Sequence, residues 1–233
     1  MGDRNFMRLY LEIVWNLIIG LPKTIYLNFK CLPFKQAIKL PILVSSKVVI
    51  RKLTAKIELH ECKTGVIRLG FGNVGIFDRR YSRSIIEAEG KIIFYGATRL
   101  GNGFKLIIGK DAVIEFGKDF RIGSEVQFIC NKHISLGARS MIAWNSMVMD
   151  TDLHGIYDGD TKKRINEDRG IIIGDDVWIG CRSSILKGTN IPNGSVVSSG
   201  TIVNSSINKF KKEKCILGGN PIRVLKEDVY WEN

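Results

Sequence analysis

An aliphatic residue begins every six-residue stretch of the chain between positions 173 and 208. The hexads read IGDDVW, IGCRSS, ILKGTN, IPNGSV, VSSGTI and VNSSIN. A period of six matches neither the 3.6 residues per turn of an α-helix nor the two-residue alternation of a half-buried strand. It is typical of a triangular coil in which three hexads complete a turn and each aliphatic side chain points inwards. The sequence therefore predicts parallel coils stacked about 4.8 Å apart.

The same spacing continues upstream, in sets between which the register slips by two residues. Helical periodicity disappears from about residue 48, where short β-type runs, glycines and turn residues take its place. A β-sandwich of short strands would not keep a strict period of six over so long a stretch. We therefore predict an all-β domain built as a parallel β-helix. The upstream sets are Ile108, Ile114 and Phe120; Ile122, Phe128 and Ile134; and Leu136, Ile142 and Val148.

The N-terminal part of the chain differs from the rest. Apolar residues at helical spacing predict an amphipathic helix over residues 5–20. Pro22, Pro33 and Pro41 then predict short helical turns separated by breaks. The apolar run LYLEIVWNLIIGL is too short to span a bilayer, which takes about 20 such residues, and it lacks a signal-peptide cleavage site. We divide the chain into a helical, basic segment (1–47), a β-helix with an inserted loop (48–210, loop 150–170) and a C-terminal tail closing the coenzyme site (211–233).

The net charge of +12 is concentrated near the N-terminus. Residues 1–60 hold ten Lys or Arg against three Asp or Glu, which suggests a phosphate-rich partner. Neither zinc-finger spacing nor an aromatic RNA-binding signature is present, so we predict no nucleic-acid partner. Two interpretations remain: peripheral contact with the anionic inner face of the cytoplasmic membrane, or a helical cap over the end of the β-helix. The lysines concerned are Lys23, Lys30, Lys35 and Lys39.

Five cysteines are scattered along the chain, at positions 31, 62, 130, 181 and 215. Their number is odd, and no two of them form a C-x-x-C pair. This pattern indicates reduced thiols in a cytoplasmic protein rather than a disulfide framework or a zinc site.

Residues 150–170 interrupt the six-residue period with a polar stretch that contains His154. If this loop is removed, the hexads that begin at 142, 148 and 173 complete one turn. The hexad at 179 then stacks on the hexad at 142, which places Cys181 one coil from Trp144 with the loop beside both. A loop of this length in a fold with minimal connections is more often functional than ornamental.

The segment IIIGDDVWIGCRSSILKGTNIPNGSVVSSGTIV, followed by GGNPIRVLK, resembles the C-terminal half of hexapeptide-repeat acyltransferases. Within that family it is similar to the saccharide O-acetyltransferases related to the maltose and galactoside acetyltransferases, and to the capsular-polysaccharide acetyltransferases. The resemblance covers roughly residues 85–225 and is most specific at 177–180 and 219–221. It implies a left-handed parallel β-helix, a homotrimer, and acetyl-CoA bound between neighbouring subunits as the donor for a saccharide acceptor.

The resemblance makes His154 the general base. An imidazole suits this step, because it accepts a proton near neutral pH while a sugar hydroxyl attacks a thioester. Asp150, Asp152 and His154 alternate, so in an extended segment their side chains share a face. We favour Asp152 as the carboxylate that fixes the imidazole tautomer, with Asp150 as a substrate-binding candidate. The alternative is that both aspartates cap turns at the base of the loop.

The resemblance also implies a coenzyme site on successive coils. The backbone N–H of Cys181 would stabilise the tetrahedral oxyanion, with an acyl-cysteine intermediate as the alternative. Trp144 and Trp178 would line the pantetheine channel, although indoles are as often simply part of the packing. The remaining coenzyme candidates are Ser199, Gly200, Asn204, Asn220 and Arg223, with Lys211 and Lys212 as weaker candidates for its phosphates.

The sequence does not determine which molecule accepts the acyl group. Galactoside-type enzymes have a substrate-contacting asparagine about one coil before the histidine, and no counterpart is found at 124–128. Their N-terminal domain also differs from residues 1–60 here. N-acetylation of an amino sugar or a nucleotide-amino sugar is therefore one alternative, and a non-catalytic hexapeptide-repeat scaffold is another.

Two metal-dependent alternatives are weaker. Asp150 and Asp152 form the D-x-D pattern of glycosyltransferases, but those enzymes are built from βαβ units, which this chain does not predict. A zinc hydratase needs closely spaced histidines, whereas His60, His133 and His154 are far apart. We interpret His60 and His133 as structural or surface residues and predict no metal.

Overall fold

The strands of the computed structural model follow one another around the three faces of a prism. The structure describes residues 2–72, 74–78 and 81–232, with the backbone alone for residues 2–13. A short 3-10 helix (Ser205–Lys209) separates the last two coils. In chain order the other elements are α1 (Gly2–Cys31), α2 (Phe34–Ala37), β1 (Ile42–Val44), β2 (Val48–Leu53), β3 (Lys56–Leu59), β4 (Ile67–Leu69), β5 (Ser84–Ala88), β6 (Lys91–Phe94), β7 (Thr98–Leu100), β8 (Lys105–Ile108), β9 (Val113–Phe116), β10 (Phe120–Ile122), β11 (Gln127–Cys130), β12 (His133–Leu136), β13 (Met141–Ile142), β14 (Met147–Met149), β15 (Ile171–Ile173), β16 (Trp178–Ile179), β17 (Ser184–Leu186), β18 (Asn190–Ile191), β19 (Val196–Val197), β20 (Ile202–Val203), β21 (Ile216–Gly218) and β22 (Arg223–Lys226).

From β1 to β20 every third strand belongs to the same sheet, so each turn of the chain adds one strand to each face. Sheet A has the order β1-β4-β7-β10-β13-β16-β19-β21-β22, sheet B has β2-β5-β8-β11-β14-β17-β20, and sheet C has β3-β6-β9-β12-β15-β18. All of these pairs are parallel except β21 with β22, which is antiparallel. The fold is therefore the predicted left-handed parallel β-helix with a small helical segment at its N-terminus.

The residues at the six-residue period form the hydrophobic core. All of the predicted inward residues are buried, from Ile108 through Val203. Ile142 pairs with Ile179, so the predicted stacking of the hexad at 179 on the hexad at 142 is confirmed. Each fully buried Ile or Val contributes roughly 2 kcal/mol relative to an exposed one, and the repeat supplies such a residue on every face of every coil. Parallel strands begin at Ile42 and extend to Gly218, beyond the predicted 48–210 at both ends.

The N-terminal segment forms one long helix, followed by the predicted break at Pro33 and the short helix α2 before Pro41. The predicted break at Pro22 is wrong, because α1 continues through this residue to Cys31. A proline in a helix removes its own N–H and leaves the carbonyl four residues earlier without its partner. Here that carbonyl belongs to Ile18, and both residues lie on the exposed side of α1, where water can take over the bond.

Polar side chains of α1 bind the free backbone edge of β1. Asn28 Nδ2 donates to the carbonyl of Ile42 at 2.7 Å, and Asn28 Oδ1 accepts from the N–H of the same residue at 3.2 Å. Thr24 Oγ1 accepts from the N–H of Val44 at 2.9 Å. These two side chains are buried and supply the pairing that a neighbouring strand would otherwise give.

The contact extends along the helix toward its N-terminus. A Cβ on Gly20 would lie 2.2 Å from the carbonyl oxygen of Val44, so only glycine allows this approach. Asn16 Oδ1 accepts from the N–H of Ser46 at 3.0 Å, and Lys23 Nζ donates to the carbonyl of Ser46 at 2.7 Å. The segment is thus a cap on the first coil, and Lys23 is part of it. Among the residues described above, no helix has both the length and the hydrophobicity to cross a bilayer.

Candidate active site

The loop at residues 150–170, which we call the arm, is folded back on itself. Its two sides are joined by hydrogen bonds from Asp158 N–H to the carbonyl of Lys163 (2.9 Å) and from Ile165 N–H to the carbonyl of Ile156 (2.8 Å). At its tip, Asp158 Oδ1 accepts from the backbone and hydroxyl of Thr161. The arm is therefore a short hairpin that projects from the corner between sheets B and C, at the end of β14.

Asp150 fastens the base of the arm to the β-helix. Its carboxylate is fully buried and accepts the backbone N–H groups of Asn131 (2.7 Å), Lys132 (2.9 Å) and His133 (2.7 Å). The thiol of Cys130 lies 3.6 Å from it, and burial, followed by the charge of Asp150, raises the pKa of this thiol far above its usual range. Asp150 cannot reach an acceptor sugar from this position, so the substrate-binding role expected from the sequence does not fit the structure.

Asn166 and Lys187 hold the segment that carries the histidine. Asp152 Oδ2 accepts from Lys187 Nζ at 2.5 Å and from Asn166 Nδ2 at 2.8 Å. Asn166 Nδ2 also donates to the carbonyl of His154 at 2.8 Å, and its Oδ1 accepts from the N–H of Ile156 at 2.6 Å. The hydrogen bond from Lys187, followed by the one from Asn166, lowers the pKa of Asp152. The carboxylate thus stays ionised and holds Asn166, which fixes the backbone from His154 to Ile156.

His154 itself is exposed, and its imidazole has no hydrogen-bond partner among the described side chains. The predicted common face of Asp150, Asp152 and His154 does not form. Leu153 adopts a left-handed conformation (φ 62°), and the N–H of His154 donates to the carbonyl of Asp152 at 2.7 Å. The chain turns between the aspartate and the histidine, so strand-like alternation does not apply and Asp152 points to Lys187 instead.

A second set of predicted residues stacks at the corner between sheets A and B. We call Trp144, Cys181, Ser199 and Gly200 the coenzyme corner; they follow β13, β16 and β19 on successive coils. The carbonyl of Trp144 accepts from the N–H of Arg182 at 3.0 Å, and the carbonyl of Cys181 accepts from the N–H of Gly200 at 2.9 Å. The predicted proximity of Cys181 and Trp144 on adjacent coils is therefore present.

The backbone of the coenzyme corner is tightly packed, and three of its N–H groups, those of Trp144, Cys181 and Ser199, have no acceptor among the described residues. A Cβ on Gly180 would lie 2.6 Å from the backbone nitrogen of Ser199, which requires glycine there. The Cys181 Sγ lies 3.4 Å from Ser199 Oγ. Within the described part of the chain, the N–H of Cys181 has no acceptor. A free, half-buried N–H of this kind can donate to an oxyanion.

The C-terminal tail lies against the outer face of sheet A. Trp178 is 37% exposed, and its ring centroid is 6.0 Å from that of Trp231. Trp231 Nε1 donates to the carbonyl of Asp176 at 2.6 Å, which anchors the tail. Asn220 and Arg223 follow β21 on the coil above Ser199, and both are exposed. They therefore continue the line of the coenzyme corner.

Three further coenzyme candidates either lie away from the coenzyme corner or already bind another residue of the chain. Asn204 follows β20 at the corner between sheets B and C, and its Oδ1 accepts from the N–H of Ser206 at 3.0 Å as the N-cap of the 3-10 helix. Lys212 pairs with Glu227 at 2.6 Å, whereas Lys211 is exposed and lines a shallow pocket beside Phe210. The line from Trp144 to Arg223 does not include Asn204 or Lys212.

The arm and the coenzyme corner lie on opposite edges of sheet B. On one coil, Cys181 precedes β17 and Lys187 follows it, and Lys187 binds the arm. The three residues of β17 span about 10 Å, so one chain places its histidine arm and its coenzyme corner on two different corners of the prism. A cleft between two prisms would bring an arm and a coenzyme corner together.

Comparison with known proteins identifies relatives of this chain. No family model matches the chain. A protein from Klebsiella pneumoniae, described as an uncharacterized 24.8 kDa protein in the cps region, is 30% identical over 205 residues, which are 88% of this chain and 87% of that protein. The polysialic acid O-acetyltransferase of Escherichia coli O1:K1 / APEC is 35% identical over 129 residues, which are 55% of this chain and only 38% of the enzyme's length.

A solved structure covers the same region. The crystallographic structure of the polysialic acid O-acetyltransferase OatWY aligns with 82% of this chain and 90% of its own, at 25% identity and a TM-score of 0.57. The chain belongs to the hexapeptide-repeat acyltransferases. Within them, it is of the capsular-polysaccharide acetyltransferase type.

In this hexapeptide-repeat acyltransferase, three supporting residues could not be identified from the sequence in advance. Lys187 follows Leu186, which pairs with Met149, so the hexad spacing alone places it beside the base of the arm. Asn166 had no such signal, because the irregular arm has no period from which its fold can be deduced. Trp231 was missed for the same reason, since it lies beyond the last repeat.

Proposed function

We propose that this protein transfers the acetyl group of acetyl-CoA to a hydroxyl of a saccharide that is a cell-surface or capsular polysaccharide precursor. The observation that carries the proposal is His154: the backbone around it is fixed by Asn166 and Asp152, while its imidazole is exposed and unpaired among the described residues. A side chain held in this way is positioned for an external proton donor. The names of the E. coli relative and of OatWY support a saccharide hydroxyl as that donor.

The chemistry follows from the two sets of residues. The neutral imidazole of His154 removes the hydroxyl proton while the oxygen attacks the thioester carbonyl carbon. The carbonyl oxygen becomes an oxyanion, which the free N–H of Cys181 stabilises. The tetrahedral intermediate then collapses, the C–S bond breaks, and the imidazolium returns the proton to the leaving thiolate. Both products, the acetyl ester and coenzyme A, are neutral at the reacting atoms.

Asp152 has a positioning role in this scheme. Its carboxylate contacts Lys187 and Asn166 and does not contact the imidazole. It therefore acts through the backbone that Asn166 clamps, and not by fixing the tautomer of His154. The imidazolium that forms during the reaction must find its second partner in the substrate or in a neighbouring subunit.

A homotrimer with shared sites is part of the proposal. The arm presents apolar side chains to the outside, among them Leu153 (64% exposed) and Ile165 (65%), and sheets A and B present Trp178 and Ile202. Val148 does not belong to these surfaces, because it is fully buried at an inward position of the repeat. Packing three prisms about one axis covers such surfaces and places one chain's arm against another chain's coenzyme corner, which gives the coenzyme a concave site.

Mixing two inactive variants is expected to restore activity if the site is shared. His154→Ala chains lack the base, and Ser199→Trp chains block the coenzyme corner. After unfolding and refolding together, mixed trimers contain some sites that combine an intact arm with an intact corner. Light scattering is expected to give three times the chain mass of 26.2 kDa. A fully active monomer, or no recovered activity in mixtures that do form trimers, would contradict this arrangement.

A coenzyme A release assay tests the reaction itself. We expect thiol release from acetyl-CoA to depend on a saccharide with free hydroxyl groups, and the product to carry an alkali-labile ester. Saccharides that bear a free amine and their N-acetylated counterparts form the matched pair. Release that requires the free amine would instead indicate N-acetylation, and no release with any acceptor would favour a scaffold.

A further inference from the structure

The exposed side of α1 is apolar, whereas the side that contacts β1 is polar. One face of the helix carries Gly20, Thr24 and Asn28, which contact β1. The opposite face carries large apolar side chains at intervals of three and four residues, each between 43% and 64% exposed. The face extends over fifteen residues and is about 21 Å long. It consists of Trp15, Ile18, Ile19, Ile25, Tyr26 and Phe29, and we call it the outer face of α1.

The outer face continues onto the second helix. The rings of Phe29 and Phe34 are in edge-to-face contact, with their centroids 6.0 Å apart. Phe34 is 69% exposed, and Ile38, one turn further along α2, is 55% exposed. The two helices therefore form one continuous apolar surface at the end of the β-helix where the first coil lies. A surface of this size is rare on a protein that has no partner for it.

Positive charge predominates in the part of the chain that forms this surface. Residues 14–57 contain eight Lys or Arg and no Asp or Glu. Lys23 is turned toward β1, whereas Lys30, Lys35 and Lys39 are exposed beside the outer face. Lys30 lies over the ring of Tyr26, at 5.3 Å from the centroid, which places its charge at the rim of the apolar surface.

Two arginines add to the charge at the side of α1. Arg68 and Arg99 are paired residues on neighbouring strands of sheet A, and both are exposed. They line a pocket of about 290 Å³ together with Leu17 and Phe71. Neither guanidinium forms an ion pair within the described residues. An apolar pocket with unpaired guanidinium groups suits a phosphate that is attached to a hydrocarbon.

We propose that the outer face of α1 binds the surface of an anionic lipid bilayer. Its aromatic and aliphatic side chains enter the boundary between head groups and acyl chains, while the exposed lysines and arginines bind lipid phosphates. A second copy of this chain is a poorer occupant, because a two-fold contact would bring the same uncompensated positive charges together. A bilayer with anionic head groups supplies the opposite charge over the whole area.

The docked side of the helix makes this binding possible. Because Asn16, Thr24 and Asn28 hold α1 against β1, the outer face is already formed before it meets a bilayer. No ordering of a free peptide is then required, which lowers the entropic cost of binding. The inference goes beyond the proposed acetyl transfer and does not depend on it, since none of these residues belongs to the arm or to the coenzyme corner.

Vesicle sedimentation of the full-length protein tests the proposal. We expect the protein to sediment with phosphatidylglycerol vesicles and to bind phosphatidylcholine vesicles at least about tenfold more weakly, with the difference reduced at high salt. Ile18→Asp is expected to weaken binding to the anionic vesicles by about tenfold or more, because it places a carboxylate at the centre of the outer face. The matched control is Ile76→Asp, which makes the same change at an isoleucine that is 68% exposed elsewhere.

The outcomes separate the alternatives. Both variants are expected to keep the wild-type melting temperature and wild-type acetyl transfer to a soluble acceptor. Absence of sedimentation with anionic vesicles, or equal sedimentation of the two variants, would overturn the proposal. A lower particle mass of Ile18→Asp in light scattering would also overturn it, because the outer face would then be an interface between copies.

Discussion

The His154→Ala variant is expected to turn over about three orders of magnitude more slowly than the wild type. A positioned general base contributes on the order of 10² to 10⁴ in rate. The imidazole at the base of the arm, that of His133, is hydrogen-bonded to Glu115 at 2.7 Å and is not placed to replace it. The melting temperature is expected to stay within about 2 °C, because an exposed side chain without hydrogen bonds supports little of the fold. Steady-state kinetics with a saccharide acceptor and calorimetry measure the two effects.

Two companion variants sharpen the result. His60→Ala removes an exposed imidazole that contacts Glu58 and Tyr95 on sheet C, and it is expected to keep wild-type turnover. Asp152→Asn keeps the base but weakens the contact with Lys187, so it is expected to lose less than His154→Ala. Near-wild-type turnover of His154→Ala would remove the general base from the mechanism.

The Asp150→Ala variant is expected to lower the free energy of unfolding by about 3 kcal/mol or more. The substitution removes a buried carboxylate and leaves three partly buried backbone N–H groups without their acceptor, and each orphaned donor costs on the order of 1 kcal/mol. For a chain of this length the melting temperature is then expected to fall by roughly 6–12 °C. Activity is expected to fall with it, since the base of the arm loses its attachment to β12.

Asp158→Ala is the matched control, because it makes the same substitution at another aspartate of the arm. Asp158 is at the exposed tip, where it accepts from the backbone of Asp160 and Thr161. We expect its loss to change the melting temperature by less than about 2 °C. Asp150→Ala with unchanged stability and a changed KM for the saccharide would return Asp150 to the substrate site and refute its role as an anchor.

The repeating part of the fold could be predicted because one rule applies at every coil. An inward aliphatic residue at each sixth position determines which residues are buried, and Ile142, Val148 and Ile179 are buried for this reason. The same spacing predicted that Cys181 lies one coil from Trp144. The six-residue rule predicts nothing where the period stops, which is at the arm and at the C-terminal tail.

The interior of the arm could not be predicted, because local backbone geometry decides it. The left-handed conformation of Leu153 turns the chain, and this single torsion separates Asp152 from His154. Strand-like alternation was a reasonable assumption for polar residues at positions 150, 152 and 154, but it depends on an extended backbone. The burial of Asp150 depends on backbone N–H groups of three residues about eighteen positions earlier, which no local pattern reveals.

The helical segment was only partly predictable as well. Proline at position 22 favours a break in general, yet tertiary contacts on both sides of it stabilise the helix, from Asn16 to Asn28. A propensity argument treats the segment as if it were isolated in water. The edge of β1 changes that environment, and it does so through residues that follow the helix in sequence.

The contact between α1 and β1 also prevents other molecules from adding coils to the end of the β-helix. A stack of parallel coils has no natural end, because its first and last coils leave a row of N–H and C=O groups to which another molecule can add. Asn28, Thr24 and Asn16 occupy that row at one end, and the antiparallel strand β22 departs from the stacking direction at the other. The two ends are thereby made unsuitable for addition of further coils. A repeat of this kind favours filaments. The contacts at the two ends of this β-helix therefore give the particle a defined length.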